Sequence, residues 1–253
     1  MSFSCRKDTK NLPSSVLLFH FSRVTFHFFF VSLLPNNQSY LKKGMKGIVT
    51  FVFIYVAVCA MDFVPMPSSL SVRMVFPLLW LTLCALYRRR WMLAAALFFS
   101  FMGDVMGWQG ELIPQIGFFA LAQTLYIIIL CLLMPPKRTW PMPVRIILLL
   151  LVGSVYGIAM CWIFPKVEDS LISGGIAVYA VLLLGMCYAA FRHRNACLML
   201  GAVLFVASDF ILGIHLFVQR IPHATLCIML PYYLGQLLLF AGMIGSKLSR
   251  NTI

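Results

Sequence analysis

Four polar side chains stand inside apolar runs of this sequence, in a pattern that could do chemistry. Asp104 lies in LFFSFMGDVMG and Gln123 in FALAQTLYI; in the second half of the chain Asp209 lies in GAVLFVASDFILG and Gln236 in LPYYLGQLLLFAG. A carboxylate in hydrocarbon is costly, and an intramembrane Asp is by default a functional site. Two of them in corresponding segments call for a single explanation. A pair of carboxyl groups in one pocket can divide acid and base roles by sharing a proton, which suits a membrane-embedded hydrolase with Asp104 and Asp209 as its catalytic acids. The same pair also suits a proton-coupled carrier or a lipid-binding protein without enzymatic activity.

Such residues need helices that cross a bilayer. The 253 residues are 62% hydrophobic and 11% charged, with a mean hydropathy of +0.94. A soluble domain is about half apolar and about a quarter charged, so the chain reads as a polytopic membrane protein. Eight spans follow one another with short loops, near 46–62, 70–87, 91–108, 112–134, 144–164, 172–191, 196–216 and 225–247. Runs of this length fit helices and not barrel strands. The expected fold is an all-α membrane bundle of eight transmembrane helices, with Pro77 as a tolerated kink inside the second.

Charge supports the same parsing. The net charge of +13 would suit a nucleic-acid partner if the basic residues formed a patch, but they stand in short clusters at the ends of apolar runs. One side of the eight-helix unit receives Lys42, Lys43, Lys46, Arg88, Arg89, Arg90, Lys137, Arg138, Arg145, Arg192, Arg194, Lys247 and Arg250; the other receives Arg73, Lys166 and Arg220. The asymmetry puts both ends of the unit in the cytoplasm, in a bacterial inner membrane or a plasma membrane, with no nucleic acid as partner. The cysteines lie mostly within or beside apolar runs without metal-ligand spacing, and read as small buried hydrophobes. Neither metal nor organic cofactor is called for, and nothing in the sequence speaks to oligomeric state.

Depth can be read from helix rise. Asp104 stands fourteen residues past Arg90 and Asp209 fifteen past Arg194, roughly 21 and 22 Å along outward helices. On the returning helices Gln123 stands fourteen before Lys137 and Gln236 eleven before Lys247, roughly 21 and 16 Å. All four fall in one layer of a core about 30 Å thick, as the walls of a shared cavity would. The basic clusters ALYRRR and AAFRHR precede Asp104 and Asp209 by sixteen and seventeen residues, counted from Arg88 and Arg192. An offset of four helices makes the halves a parallel four-helix repeat. Taken singly, each Asp could be a structural hydrogen-bonder and each Gln an interhelical packing contact. Tyr126 and Tyr233, three residues from their Gln, share a face with it, where ring packing is the plain role. His215 and His223 fall at interfacial depth; Asp62, Glu111, Glu168 and Asp169 fall at solvated loop ends.

Residues 1–44 stand apart. Ser15–Leu34 is apolar but carries His20, Arg23 and His27 on one helical face. Three readings are open: an interfacial helix, a ninth span with a costly Arg, or an extension ahead of a unit that begins at Met45. The last is preferred, which gives a 1–44 extension and a 45–253 membrane domain.

The segments LFFSFMGD, FALAQTLYI, YAVLLLGM with FRHR, GAVLFVASDFILG and YYLGQLLLFAG resemble the YhhN family, whose characterised animal members are lysoplasmalogenases. The resemblance covers most of the chain from Met45 onward, and the last two segments are its specific part. It implies hydrolysis of the sn-1 vinyl ether of a lysolipid in the bilayer to a fatty aldehyde and a glycerophospho-alcohol, without a cofactor. It carries site roles to Asp104, Asp209, Tyr233 and Gln236, and places Gln123 and Tyr126 beside the substrate. One position departs from the family pattern: Gln123 stands where His is usual.

Overall fold

The computed structural model describes residues 41–61, 75–134 and 140–245, with side chains of the first helix from Thr50 onward. Eight α-helices fill these stretches: α1 (Leu41–Met61), α2 (Phe76–Tyr87), α3 (Trp91–Gln109), α4 (Leu112–Ile128), α5 (Met142–Ile163), α6 (Ser170–Arg192), α7 (Ala196–Gly213) and α8 (Ala224–Ile244). No strand occurs among the described residues. From α3 onward, six helices with their terminal turns are long and apolar enough to cross a membrane; α2 and the described side-chain part of α1 are shorter apolar helices. The bundle is that of an integral, multi-pass membrane protein.

Local chemistry sets the helix ends. Asp169 caps α6, its carboxylate accepting from the N–H groups of Leu171 (2.7 Å) and Ile172 (3.2 Å). It is a helix cap, more than the merely solvated loop end its position suggested. Asn195 caps α7 in the same way through Cys197 and Leu198. Pro77 corrects an expectation: it sits in the first turn of α2, not inside a span, and there its missing N–H costs no hydrogen bond. The proline that does interrupt a helix is Pro231 in α8, beside which the Ser208 hydroxyl donates to the Ile228 carbonyl at 2.8 Å. α1 begins at Leu41, ahead of Met45; residues 1–40, with the rest of the expected extension, lie outside the described residues, as do Arg73, Lys137, Arg138, Lys247 and Arg250.

Two turns repeat. Arg89 (φ 54°) and Arg194 (φ 50°) both take the left-handed conformation, each two residues before its Asp-bearing helix. Asp104 and Asp209 each lie fifteen residues beyond that arginine. Counted from these two turns, the sixteen-against-seventeen mismatch read from Arg88 and Arg192 disappears.

α8 is the axis of the bundle. About two thirds of its membrane window is buried (67%), against 11% for the segment containing α5, which leans on the outside. Its tightest partner is α7. A Cβ on Gly201 would stand 2.8 Å from the Leu239 nitrogen and 2.9 Å from the Gly235 oxygen, so the two backbones meet through glycine. α3 packs on α4, and α4 on α6. At the basic end, His193 Nε2 donates to the Leu130 carbonyl (2.8 Å) inside the π-turn Ile129–Leu133 that closes α4. Arg194 lies 4.2 Å from the Trp140 ring centre, and the Trp140 indole donates to the Phe191 carbonyl.

Candidate active site

A cavity of about 280 Å³ opens inside the bundle, toward the end where α3–α4, α5–α6 and α7–α8 turn. Its walls come from α3 to α8 and are mostly apolar. Both Asp104 and Asp209 line it. Asp104 is 4% exposed, and Asp209 keeps somewhat more of its surface accessible. Each is the fourteenth residue of its helix, counting from Trp91 and from Ala196.

Each carboxyl group is held by a tyrosine from another helix. Tyr232 of α8 donates to Asp104 Oδ2 at 3.0 Å. Tyr179 of α6 donates to Asp209 Oδ2. The Phe119 ring stands between these tyrosines, 6.3 Å from the Tyr179 centroid and 6.2 Å from that of Tyr232. Small residues before each Asp make this possible. A Cβ on Gly103 would come within 2.9 Å of the Phe119 ring, and Ser208 is small enough to reach the α8 backbone.

The remaining predicted site residues form a buried layer that is not among the cavity's lining. Gln123 and Gln236 are fully buried, and Tyr126 donates to Gln236 Oε1 at 2.8 Å, joining α4 of one half to α8 of the other. Tyr126 thus does more than pack its ring. Tyr233 is buried, and its carbonyl accepts from the Tyr55 hydroxyl at 2.8 Å. The Gln123 amide faces Tyr179 but meets no hydrogen-bond geometry with a protein atom, and the Gln236 amide nitrogen likewise has no protein acceptor.

Sequence reasoning missed Tyr179, Tyr232 and Phe119. Tyr232 carried a signal: it stands four residues before Gln236, as good a helical neighbour as Tyr233 at three. Tyr179 carried none, because its partner lies thirty residues away on another helix. Among the described residues, no three His, Cys, Asp or Glu side chains gather as a metal site would require.

A carboxyl pair in an apolar pocket, each member oriented by a phenol, can protonate a substrate and activate or stabilise against water in the same place. The sequence model of the YhhN family matches residues 68–243. Lysoplasmalogenase TMEM86B of Homo sapiens is 28% identical over 164 residues, which span 63% of this chain and 66% of that protein, just short of two thirds of its length. No solved structure matches the chain.

Proposed function

Starting from the chain's membership of the YhhN family, we propose that it is a membrane-embedded hydrolase cleaving the sn-1 vinyl ether of lysoplasmalogen-type lysolipids. The observation that carries this is the placement of Asp104 and Asp209, each with its own tyrosine donor, on one apolar-walled cavity. The similarity to a lysoplasmalogenase supports it.

The chemistry suits two carboxyl groups. One member, protonated, gives its proton to the β-carbon of the vinyl ether, leaving an oxocarbenium ion. The other, ionised, faces that cation and takes a proton from the water that captures it. The hemiacetal then collapses to the aldehyde and the free glycerol hydroxyl, and transfer of the proton within the pair restores the starting state. One water is consumed and no electron changes hands. Shared-proton carboxylates divide acid and base roles in this way in other hydrolases. Tyr179 and Tyr232 hold the pair in register, while Phe119 and the α5–α7 faces exclude bulk water. Gln123, Tyr126, Tyr233 and Gln236 stand behind the wall, so their proposed part narrows from touching substrate to fixing the helices that bear the acids.

The test is to incubate purified protein with a 1-alkenyl and a 1-acyl lysophospholipid and to follow aldehyde and fatty acid. Aldehyde from the first and little fatty acid from the second is the expected result. Fatty acid from the acyl lipid with no aldehyde from the alkenyl one would make the protein a lysophospholipase instead.

A further inference from the structure

Beyond the carboxylates, the cavity wall continues into the π-turn Ile214–Val218, where Leu216 and Phe217 face the cavity. Beside them His215 is partly buried and Arg220 is exposed, just past the end of the apolar segment at Val218. His215 Nδ1 accepts the Ile221 backbone N–H at 3.0 Å. A ring nitrogen that accepts carries no hydrogen, so the proton of the neutral imidazole is on Nε2. That Nε2 faces Arg220 Nη1 at 3.4 Å. A guanidinium has no acceptor, so the contact joins two donors. Two donors converging on one place, one of them permanently charged, are matched by a shared anionic oxygen.

We propose that Arg220 and His215 form a phosphate subsite at the mouth of the cavity, which takes the phosphodiester of a lysolipid whose sn-1 vinyl ether lies at the carboxyl pair. The identity of the lipid rests on the proposed function; the preference for a phosphate oxygen rests on the two donors alone. The spacing fits. Asp209 and His215 are six residues apart on nearly continuous helix, roughly 9 Å along its axis. Seven bonds separate the vinyl β-carbon from phosphorus in a lysolipid, an extended reach of roughly 8 Å at the projected length per bond of an extended chain. A phosphate held by Arg220 would sit at headgroup depth while the reacting bond reaches Asp209.

The experiment uses the full chain in a neutral, phosphate-free detergent and two readouts. Binding is measured for a 1-alkyl lysophosphocholine, which has no vinyl ether to cleave, for a 1-alkylglycerol, and for inorganic phosphate. Turnover is measured for the 1-alkenyl lysophosphocholine against 1-alkenylglycerol. Arg220→Gln should weaken binding of the phosphate-bearing lipid about tenfold relative to the alkylglycerol and lower the ratio of the two kcat/KM values by a similar factor, as loss of one charge-assisted hydrogen bond would. Arg220→Lys, which keeps the charge but not the planar fork, should fall between. Raised ionic strength on the unmodified protein should weaken the phosphate-bearing lipid more than the neutral one, an arm that needs no variant.

An unchanged lipid preference in Arg220→Gln, or equal salt effects on both lipids, would overturn the subsite. Inorganic phosphate that binds as tightly as the lipid and displaces it would make this a site for free phosphate, which also overturns the assignment. Absence of aldehyde from every alkenyl lipid would count against the proposed function alone, since the binding arms still decide the subsite.

Discussion

At the scale of single residues, the two aspartates on one cavity were legible because an Asp inside an apolar run is costly, and two at matched depth point to one shared space. Their partners were less so: a tyrosine in an apolar helix looks the same whether its hydroxyl reaches a carboxylate or only the next backbone, and the distinction is made by a helix far away in sequence. Asp104→Asn and Asp209→Asn should each lower aldehyde release by on the order of 10²-fold or more while the protein stays folded, because Asn preserves size but cannot give up or accept the proton. Groups that act as a unit are non-additive, so the double variant should be little worse than either single one. Turnover near that of the unmodified protein in either Asn variant would remove that residue from the site. Tyr179→Phe and Tyr232→Phe delete the donor to Asp209 and to Asp104. Each is expected to reduce kcat about tenfold with little change in KM, as loss of a hydrogen bond to a charged group would. A rise in KM alone would instead place the phenol against the substrate. Gln123→His, which installs the residue the family resemblance implies at this position, should leave the rate of aldehyde release unchanged or raise it.

At the scale of elements, the eight helices and most of their bounds followed from apolar run length and the positions of basic clusters. Two things did not. Pro77 reads as a kink from its place in a run, yet the helix starts just before it; a run of apolar residues does not announce its first hydrogen bond. Nor does a glycine reveal whether it faces lipid or a neighbouring backbone. Gly201 meets the α8 backbone on a Cβ-sized scale, whereas a Cβ on Gly153 of α5 would meet nothing within 4 Å. Gly201→Ala should therefore destabilise the protein by about 1–3 kcal/mol through overpacking, visible as a lower melting temperature in detergent. Gly153→Ala should hold its melting temperature or raise it slightly, since Ala favours a helix more than Gly does. Equal effects at the two sites would mean that α7 and α8 are not locked through their backbones. The proposed repeat meets the same limit: matching arginines by type puts the two Asp segments one residue out of step, whereas the left-handed turns at Arg89 and Arg194 stand equally far from Asp104 and Asp209.

At the scale of the whole molecule, the cavity lies toward the turns that carry few basic residues, and we propose from the positive-inside tendency that this end faces the non-cytoplasmic side. A reporter placed near Lys166 should then read outside, and one in the 135–143 loop should read cytoplasmic. A cytoplasmic signal near Lys166 would reverse the side from which lipid enters. What the sequence could not supply at this scale is whether two carboxylates at one depth also share one space, because depth comes from counting along a helix and rotation about its axis does not. Their common cavity is also what a carrier would use, so the deciding measurement is chemical. Purified protein in detergent, where no compartment exists to transport into, is supplied with a 1-alkenyl lysophospholipid in heavy water, and the products are analysed by mass. Hydrolysis by the carboxyl pair should give fatty aldehyde bearing a deuterium at the carbon next to the carbonyl, released together with an equal amount of glycerophospho-alcohol. Intact lipid in detergent, with the same lipid moved across the membrane of sealed vesicles, would contradict it.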